Sequence, residues 1–160
     1  MTSILVDLDG TVCDARHRAH MISGKDGEPN WDDYSLACYA DKPVHGVIRL
    51  VAELHDAGNR IVIASGRSMV AMERTIQWLY SNHVRHDEVI LRQAGDYRRN
   101  DDVKVAIVEA LRSRGERVIL AIDDMQEVAD AMLHIAVPCL LVAKDGVTHP
   151  TRRVGKARTY

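Results

Sequence analysis

The sequence lacks the features that direct a chain into or across a membrane. No apolar run approaches the roughly 20 residues that a transmembrane helix requires. The N-terminus has no basic segment leading into an apolar stretch, so we expect no signal peptide. These two absences favour a cytoplasmic protein without membrane contacts.

Cysteine is scarce, and the chain carries little net charge. Cys13, Cys38 and Cys139 are an odd number without the spacing of a metal site, which favours reduced thiols. The formal net charge of -2 argues against electrostatic wrapping of nucleic acid by the whole surface. A basic tail over 146–160 is the local exception, and it is either a solvated end or a contact for a polyanion.

Repeats, low-complexity runs and linkers are also absent from the sequence. Its 160 residues, 46% hydrophobic and 28% charged, are ordinary for a single soluble domain over 1–160. The chain has no Gly-x-x-x-x-Gly-Lys-Ser/Thr motif, so we expect no nucleotide-dependent kinase module in it.

Apolar residues recur with alternating strand and helix periods along the chain. Strands are predicted over 3–8, 60–64, 88–92, 117–122 and 139–143, and helices over 44–57, 69–80, 102–113 and 126–135. This alternation predicts an α/β fold with a parallel sheet and helices on both of its faces. Residues 13–43 interrupt the alternation, and a structureless segment of that length would be unusual unless it served the function.

Two carboxylates stand where the first predicted strand ends. Asp7 and Asp9 follow the run 3–6, and Gly10 then turns the chain. Residues i and i+2 of a strand point to the same face, so both carboxylates can reach one cavity. Two carboxylates held together repel unless one is protonated or a cation lies between them. The pattern predicts a hard metal, a nucleophile beside an acid, or both, with an Asp-rich turn as the structural alternative.

With Asp7-Leu8-Asp9-Gly10-Thr11 at its strand end, the chain resembles the haloacid dehalogenase-like (HAD) superfamily of phosphohydrolases. Three further motifs of that superfamily follow in the expected order. They are an apolar strand ending in Ser65-Gly66-Arg67, Lys104 at a helix start, and a strand ending in Asp123 and Asp124. Four motifs in one order are far more specific than any one of them.

The resemblance implies a three-layer, Rossmann-like fold around a parallel sheet of about five strands in the order 5-4-1-2-3. All four motifs then lie at the carboxyl ends of strands or just after them, where such sheets bind ligands. Superfamily members place a cap where 13–43 lie, and this insert is too short for a large one. A nearly open site follows, which suits a large or polymeric substrate. The residues expected at its rim are Asp14, Arg16, His17, Arg18 and His20.

The resemblance also implies a role for each motif residue. Asp7 matches the nucleophile that forms an aspartyl-phosphate, and Asp9 matches the general acid and base. Ser65 and the backbone at Gly66 match the donors to the phosphate oxygens, and Lys104 matches the catalytic cation beside the nucleophile. The implied cofactor is Mg²⁺, and its implied ligands are Asp7, Asp9, Asp123 and Asp124.

Within the superfamily, three stretches resemble the 3′-phosphatase domain of phage-type polynucleotide kinase–phosphatases. They are Ser65-Gly66-Arg67, the Arg-x-x-Gly-Asp-x-Arg pattern within 91–99, and Asp123-Asp124 before a helix. The resemblance implies that Arg67 and Arg92 bind phosphate or the polynucleotide backbone, because a guanidinium matches phosphate with its planar fork.

The acids ahead of the motif lysine depart from that family's pattern. The family has two acids, two apolar residues and then lysine, whereas here Asp101 and Asp102 stand one place nearer to Lys104. Either acid is expected to orient Lys104 or Arg92, and the sequence leaves the choice open.

The leading hypothesis is a Mg²⁺-dependent phosphomonoesterase that removes terminal phosphate, in particular 3′-phosphate, from polynucleotide ends in nucleic acid repair. A 5′(3′)-deoxyribonucleotidase acting on free nucleoside monophosphates is the close alternative. A non-catalytic nucleic-acid-binding module with the same fold is the alternative from another class, although it has no need of the complete set of motif residues. Phosphatases of sugars and other small metabolites stay open because the fold hosts many substrates.

Overall fold

The structure, a computed structural model, describes residues 1–22 and 29–143. The predicted basic tail over 146–160 lies outside these residues. The strands are β1 (Thr2–Val6), β2 (Cys13–Asp14), β3 (Lys42–Pro43), β4 (Arg60–Ser68), β5 (Glu88–Arg92), β6 (Arg117–Asp123) and β7 (Cys139–Leu141). The α-helices are α1 (Trp31–Leu36), α2 (His45–Asp56), α3 (Met72–Ser81), α4 (Asn100–Ser113) and α5 (Gln126–His134). Short 3₁₀ segments cover Arg16–Ile22, Ala37–Ala40 and Met69–Ala71.

Five strands form a parallel sheet in the order β5-β4-β1-β6-β7. If the five strands of this sheet are renumbered 1 to 5 in chain order and read from β7 to β5, their order is 5-4-1-2-3, as predicted. The predicted α/β fold with a parallel sheet is thus confirmed. Because β1 lies in the centre, Val6 pairs with Ile63 of β4 on one side and with Ile122 of β6 on the other. The residues that follow these three positions therefore meet at the carboxyl edge.

The two faces of the sheet carry separate hydrophobic cores, because side chains alternate along each strand. In β1, Ile4 and Val6 face the core beneath α2 and α3, whereas Leu5 faces the core beneath α4 and α5. The helical residues buried on the first face include Ile48, Val51, Trp78 and Leu79, and those on the second include Ile107, Leu111, Val128 and Met132. None of the helices in the described part of the chain is long and apolar enough to span a membrane.

Strand β4 is longer than the sequence predicts, and this changes the setting of one motif. Its pairing with β5 continues past Ser65, and after an irregularity Ser68 pairs with Arg92. The predicted strand stops at residue 64 because Ser-Gly-Arg resembles a turn in sequence. Gly66 and Arg67 instead belong to the strand and form the irregularity between the pairs Ser65–Leu91 and Ser68–Arg92.

Most described residues of the 13–43 insert have regular structure. Strands β2 and β3 pair antiparallel and bring the two ends of the insert together. The insert is anchored to α3 by a hydrogen bond in which the buried indole Nε1 of Trp78 donates to the carbonyl oxygen of Asp41, 2.9 Å away. The position of Asp41 is therefore fixed by the body of the protein.

Candidate active site

The carboxyl edge of the sheet brings the four sequence motifs together. Asp7 directly follows β1, and its backbone N–H donates to the carbonyl oxygen of Ile122 in β6, 2.9 Å away. Asp123 ends β6, Ser65 lies in β4, and Lys104 projects from α4. Because β4 and β6 flank β1, the strand order groups these side chains around Asp7.

A buried ammonium group holds two of the motif carboxylates together. Lys104 Nζ donates to Asp7 Oδ1 at 2.6 Å and also to Asp123 Oδ2. All three side chains are buried, so water screens the attraction between their charges only weakly. Burial lowers the pKa of Lys104, but the two carboxylates outweigh this effect and raise the pKa, which keeps the ammonium charged.

The Asp7 carboxyl group holds a proton more tightly than an ordinary aspartate does. Burial raises its pKa, Lys104 opposes this effect, and the negative charges of Asp123 and Asp9 reinforce it, so that the pKa rises from 3.8 to about 7. Thr11 Oγ1 also donates to Asp7 Oδ2, 3.2 Å away. A cation beside Asp7 would favour the ionised form, because an opposite charge lowers a carboxyl pKa.

Three carboxylates form a candidate cation site. Asp7, Asp123 and Asp124 each offer an oxygen, and these oxygens lie within 4.8 Å of one another. Such a set of oxygen ligands suits a hard divalent cation such as Mg²⁺. Gly10 adjoins the site with a φ of +94°, and a Cβ at this position would overlap the carboxylate of Asp124. Glycine is therefore needed here both for the backbone conformation and for space.

The side chain of Asp9 lies in a different group of charges from the other predicted metal ligands. Its carboxylate contacts the guanidinium of Arg67 and accepts a hydrogen bond from Arg18 Nη2 at 2.6 Å. Burial favours a raised pKa for Asp9, but the charge and hydrogen bond of Arg67 and the charge of Arg18 outweigh burial and lower it. Two guanidinium groups hold the Asp9 carboxylate, and a role for Asp9 as a metal ligand stays a prediction.

Arg18 and Asp41 contribute to the site although no sequence motif marks them. Arg18 is predicted to lie at the rim, yet its side chain is completely buried. Its Nε and Nη2 donate to the two carboxylate oxygens of Asp41 at 2.8 and 2.7 Å. Asp41 also accepts from Arg67 Nη2 at 3.1 Å and contacts His17 Nε2 at 2.8 Å. Partners this far apart in the chain leave no local pattern, so sequence reasoning missed the pair.

Arg67 faces the interior of this charged group. Its side chain is completely buried and donates to Thr75 Oγ1 at 3.0 Å as well as to the two carboxylates. The guanidinium of Arg67 contacts Asp9 and Asp41, and contact between Arg67 and phosphate stays a prediction. Ser65 Oγ accepts a hydrogen bond from the Arg67 backbone N–H at 3.2 Å, and a hydroxyl that accepts one bond can still donate its own proton to a phosphate.

Arg92 joins the loop between β5 and α4 to β4. Its Nε donates to the carbonyl oxygen of Gly66 at 3.0 Å, and its Nη1 donates to that of Arg98 at 2.6 Å. Its Nη2 contacts the side-chain oxygen of Asn100, the first residue of α4. Asn100 thus orients Arg92 and is a further site residue that no sequence motif marks. Contact between Arg92 and phosphate stays a prediction.

Neither Asp101 nor Asp102 hydrogen-bonds to Lys104 or to Arg92, so the structure does not support the expectation that one of them orients either cation. Lys104 is held by the buried acids at the strand ends, whereas Asp101 Oδ1 accepts from Arg99 Nε at 3.0 Å. Helix α4 begins at Asn100, two residues earlier than predicted, and both acids lie in its first turn. Carboxylates there interact favourably with the positive end of the helix dipole, which is a structural role.

One family model matches nearly the whole chain. It describes the phosphatase domain of polynucleotide kinase PNKP, and it matches residues 1–146. No curated protein matches the chain significantly.

Several solved structures share the fold at low sequence identity. A structure of a Pnkp1/Rnl/Hen1 complex is 23% identical with a TM-score of 0.72, over 89% of this chain and 46% of that chain. A class C acid phosphatase from Bacillus anthracis is 18% identical with a TM-score of 0.63, over 90% and 66%. A D,D-heptose 1.7-bisphosphate phosphatase from B. bronchiseptica, complexed with magnesium and phosphate, is 14% identical with a TM-score of 0.56, over 88% and 80%. These likenesses establish the fold alone, and the chain spans less than half of the matched chain in the Pnkp1/Rnl/Hen1 complex.

Replacing Arg18 by methionine should destabilise the protein strongly, because Asp9 and Asp41 then lose a buried counter-charge. The free energy of unfolding should fall by about 3–5 kcal/mol for Arg18→Met, measured by denaturant-induced unfolding. Arg16 is the matched control: its side chain is 70% exposed and pairs with Asp14, so Arg16→Met should cost less than about 1 kcal/mol. Equal losses in the two variants would contradict the interior placement of Arg18.

Proposed function

The chain belongs to the polynucleotide kinase PNKP phosphatase domain family, a family of phosphoric monoester hydrolases, and we propose that it removes the terminal 3′-phosphate from polynucleotide ends. The resemblance that the motifs predict is thereby confirmed. The observation that carries the proposal is that two nearby aspartates have different partners. Asp7 contacts Lys104, whereas Asp9 contacts the guanidinium groups of two arginines. A nucleophile and a proton carrier are the two groups that this reaction requires.

In the first step, Asp7 acts as the nucleophile. Its carboxylate oxygen attacks phosphorus, the bond from phosphorus to the sugar oxygen breaks, and an aspartyl-phosphate forms. Lys104 stays beside the carboxylate and offsets the negative charge that accumulates as the phosphate approaches. Ser65 and the backbone N–H of Gly66 donate to the phosphate oxygens and hold phosphorus in line for the attack.

Asp9 carries a proton in both steps. It protonates the departing sugar oxygen, and it then accepts a proton from the water that hydrolyses the aspartyl-phosphate and releases inorganic phosphate. The resting carboxylate, held by Arg18 and Arg67, has a lowered pKa that suits the second step. A phosphate that arrives beside Asp9 adds negative charge and raises this pKa. A proton brought by the substrate monoanion can then reside on Asp9 for the first step.

The carboxylate group around Asp7 fits a divalent cation. With three ionised aspartates and one protonated lysine, the group has a formal charge of about -2, which a divalent ion balances. Asp7, Asp123 and Asp124 would hold Mg²⁺, which would neutralise charge on the transferring phosphate. The similar heptose bisphosphate phosphatase is complexed with magnesium, which supports this choice of ion.

Two observations support a polynucleotide end as the substrate. The family takes its name from polynucleotide kinase, and one similar chain belongs to a Pnkp1/Rnl/Hen1 RNA repair complex. In addition, Arg18 of the short insert is buried and donates hydrogen bonds to Asp9 and Asp41, which favours an open site over one enclosed by a large cap.

A panel of phosphorylated substrates tests this substrate class. A 3′-phosphorylated oligonucleotide, prepared as DNA and as RNA, should have a higher kcat/KM than a nucleoside 3′-monophosphate in the presence of Mg²⁺, because only the oligonucleotide can make backbone contacts beyond the terminal residue. Asp7→Asn keeps the size of the side chain, removes the nucleophilic charge and should show no turnover. A mononucleotide preferred by a wide margin would instead support a deoxyribonucleotidase.

Replacing Asp9 by asparagine should slow the reaction most where the leaving group is poor. A sugar hydroxyl needs a proton as it departs, whereas an activated aryl phosphate hardly does. Turnover of the 3′-phosphorylated oligonucleotide should therefore fall by about 10²–10⁴-fold in Asp9→Asn, and turnover of the aryl phosphate should fall much less. Similar losses on the two substrates would show that Asp9 is not the acid.

Binding of Mg²⁺ should strengthen between pH 6 and pH 8. Because the pKa of Asp7 is raised to about 7, the carboxyl group is mostly protonated at the lower pH and mostly ionised at the higher, and the cation binds the ionised form. The midpoint of thermal unfolding should therefore rise more on addition of Mg²⁺ at pH 8 than at pH 6.

The raised pKa of Asp7 also predicts how the stability of the metal-free protein changes with pH. A raised folded pKa makes the contribution of Asp7 to stability largest at low pH, and this contribution is lost as the pH rises through about 7.

Asp7→Asn is the control for the Mg²⁺ experiment, and its response to Mg²⁺ should be weak and equal at both pH values. An equal response of the wild-type protein at pH 6 and pH 8 would contradict the involvement of Asp7 in binding the cation.

A further inference from the structure

Tyr97 presents an aromatic ring to solvent close to the proposed active site. It lies in the 93–99 loop between β5 and α4, and 95% of its surface is exposed. Single exposed apolar side chains are common, so exposure alone assigns no role to this residue. The role follows from the way in which the 93–99 loop is held.

Hydrogen bonds fix the backbone on both sides of Tyr97. Before it, Gly95 turns the chain with a φ of +78°, and the N–H of Asp96 donates to the carbonyl oxygen of Gln93 at 3.2 Å. After it, the Arg98 N–H donates to Asp96 Oδ1 at 3.1 Å, and Arg98 Nη2 donates to Asp96 Oδ2 at 2.6 Å. The two neighbours of Tyr97 are thus bound to each other, and the tyrosine ring is presented from a fixed backbone.

Arg92 connects this backbone to the phosphate-binding end of β4. Its Nη1 donates to the carbonyl oxygens of Asp96 and Arg98, the two neighbours of Tyr97, at 3.2 and 2.6 Å. Its Nε donates to the carbonyl oxygen of Gly66, in the middle of the proposed phosphate-binding motif, at 3.0 Å. One guanidinium therefore spans the distance from the backbone beside Tyr97 to the backbone beside the phosphate.

From this geometry we infer that Tyr97 stacks on the nucleobase of the nucleotide that carries the 3′-phosphate. The inference rests on the proposed function and adds a specificity-determining contact to it. An aromatic side chain can stack on any base, because every base has a π-face. The contact therefore selects ends that carry a base without reading which base it is. Tyrosine has only two χ angles, so it is ordered on binding at a low entropic cost.

Two other highly exposed tyrosines have different surroundings. Helix α3 follows β4 and runs away from the carboxyl edge of the sheet. Tyr80 lies near the C-terminal end of this helix and therefore on the side of the opposite edge. Tyr39 has the guanidinium of Arg74 5.6 Å from the centre of its ring. Of these three tyrosines, Tyr97 is the one whose two chain neighbours are connected through Arg92 to the carbonyl oxygen of Gly66.

Two oligonucleotides that differ at a single base test this role. Both carry a 3′-phosphate, and the terminal nucleotide has a base in one and is abasic in the other. The wild-type protein should show a higher kcat/KM for the end that carries a base. Tyr97→Ala should lower this kcat/KM by at least about fivefold, mainly through KM, and should remove the preference, since stacking contributes at least that much per base. Tyr97→Phe should keep the preference because the ring is retained.

Tyr80→Ala is the matched control, because it removes another exposed tyrosine, 81% accessible, from the opposite edge. It should leave the preference at its wild-type value, and thermal unfolding of all three variants confirms that they are folded. A wild-type preference in Tyr97→Ala, or a loss of preference in Tyr97→Phe as large as in Tyr97→Ala, would overturn stacking by the ring. A wild-type protein that hydrolyses an aryl phosphate but neither oligonucleotide would instead overturn the proposed substrate class and the stacking role with it.

Discussion

A single buried ammonium group determines how the catalytic edge of this protein is assembled. Lys104 reaches from α4 to acids at the ends of β1 and β6, and those strands are neighbours in the sheet. The pairing of β1 with β6 brings two carboxylates to one point, where without a cation they would repel each other. The lysine offsets part of this repulsion, and a divalent ion can offset the remainder. The strand order therefore requires positive charge at this edge, because it places the acids of β1 and β6 side by side.

The charges at this edge of the sheet also give different roles to two aspartates that are only two residues apart. Burial, reinforced by the nearby acids, raises the pKa of Asp7, whereas the two guanidinium groups around Asp9 lower its pKa. A cation beside Asp7 would favour its ionised, nucleophilic form, and a phosphate beside Asp9 would favour its protonated form, so that each group reaches the state it needs once the site is filled. The sequence motif places the two carboxylates side by side, and distant residues from the insert and from β4 make them chemically different.

The strands and the motif residues could be predicted because each depends on local sequence. Buried parallel strands read as apolar runs, and the first acid of the motif stands directly at a strand end. The long-range partners could not be predicted: Asp41 gathers contacts from residues 17, 18 and 67, which share no periodic spacing. The direction of Arg67 was also inaccessible, because a bound phosphate and a buried carboxylate attract a guanidinium equally well. The sequence shows the charge of a side chain but not which of two anions it faces.

The hydrogen bond from Trp78 to the carbonyl oxygen of Asp41 gives the protein a built-in optical signal. The sequence contains two tryptophans and no phenylalanine, and Trp78 is buried whereas Trp31 is largely exposed. The emission of an indole depends on its hydrogen bond and on the charges around it, and Trp78 lies directly against the residue that binds Arg18 and Arg67. In a protein whose exposed tryptophan has been replaced, intrinsic fluorescence therefore reports any displacement of Asp41, and with it the environment of Asp9, without an added label.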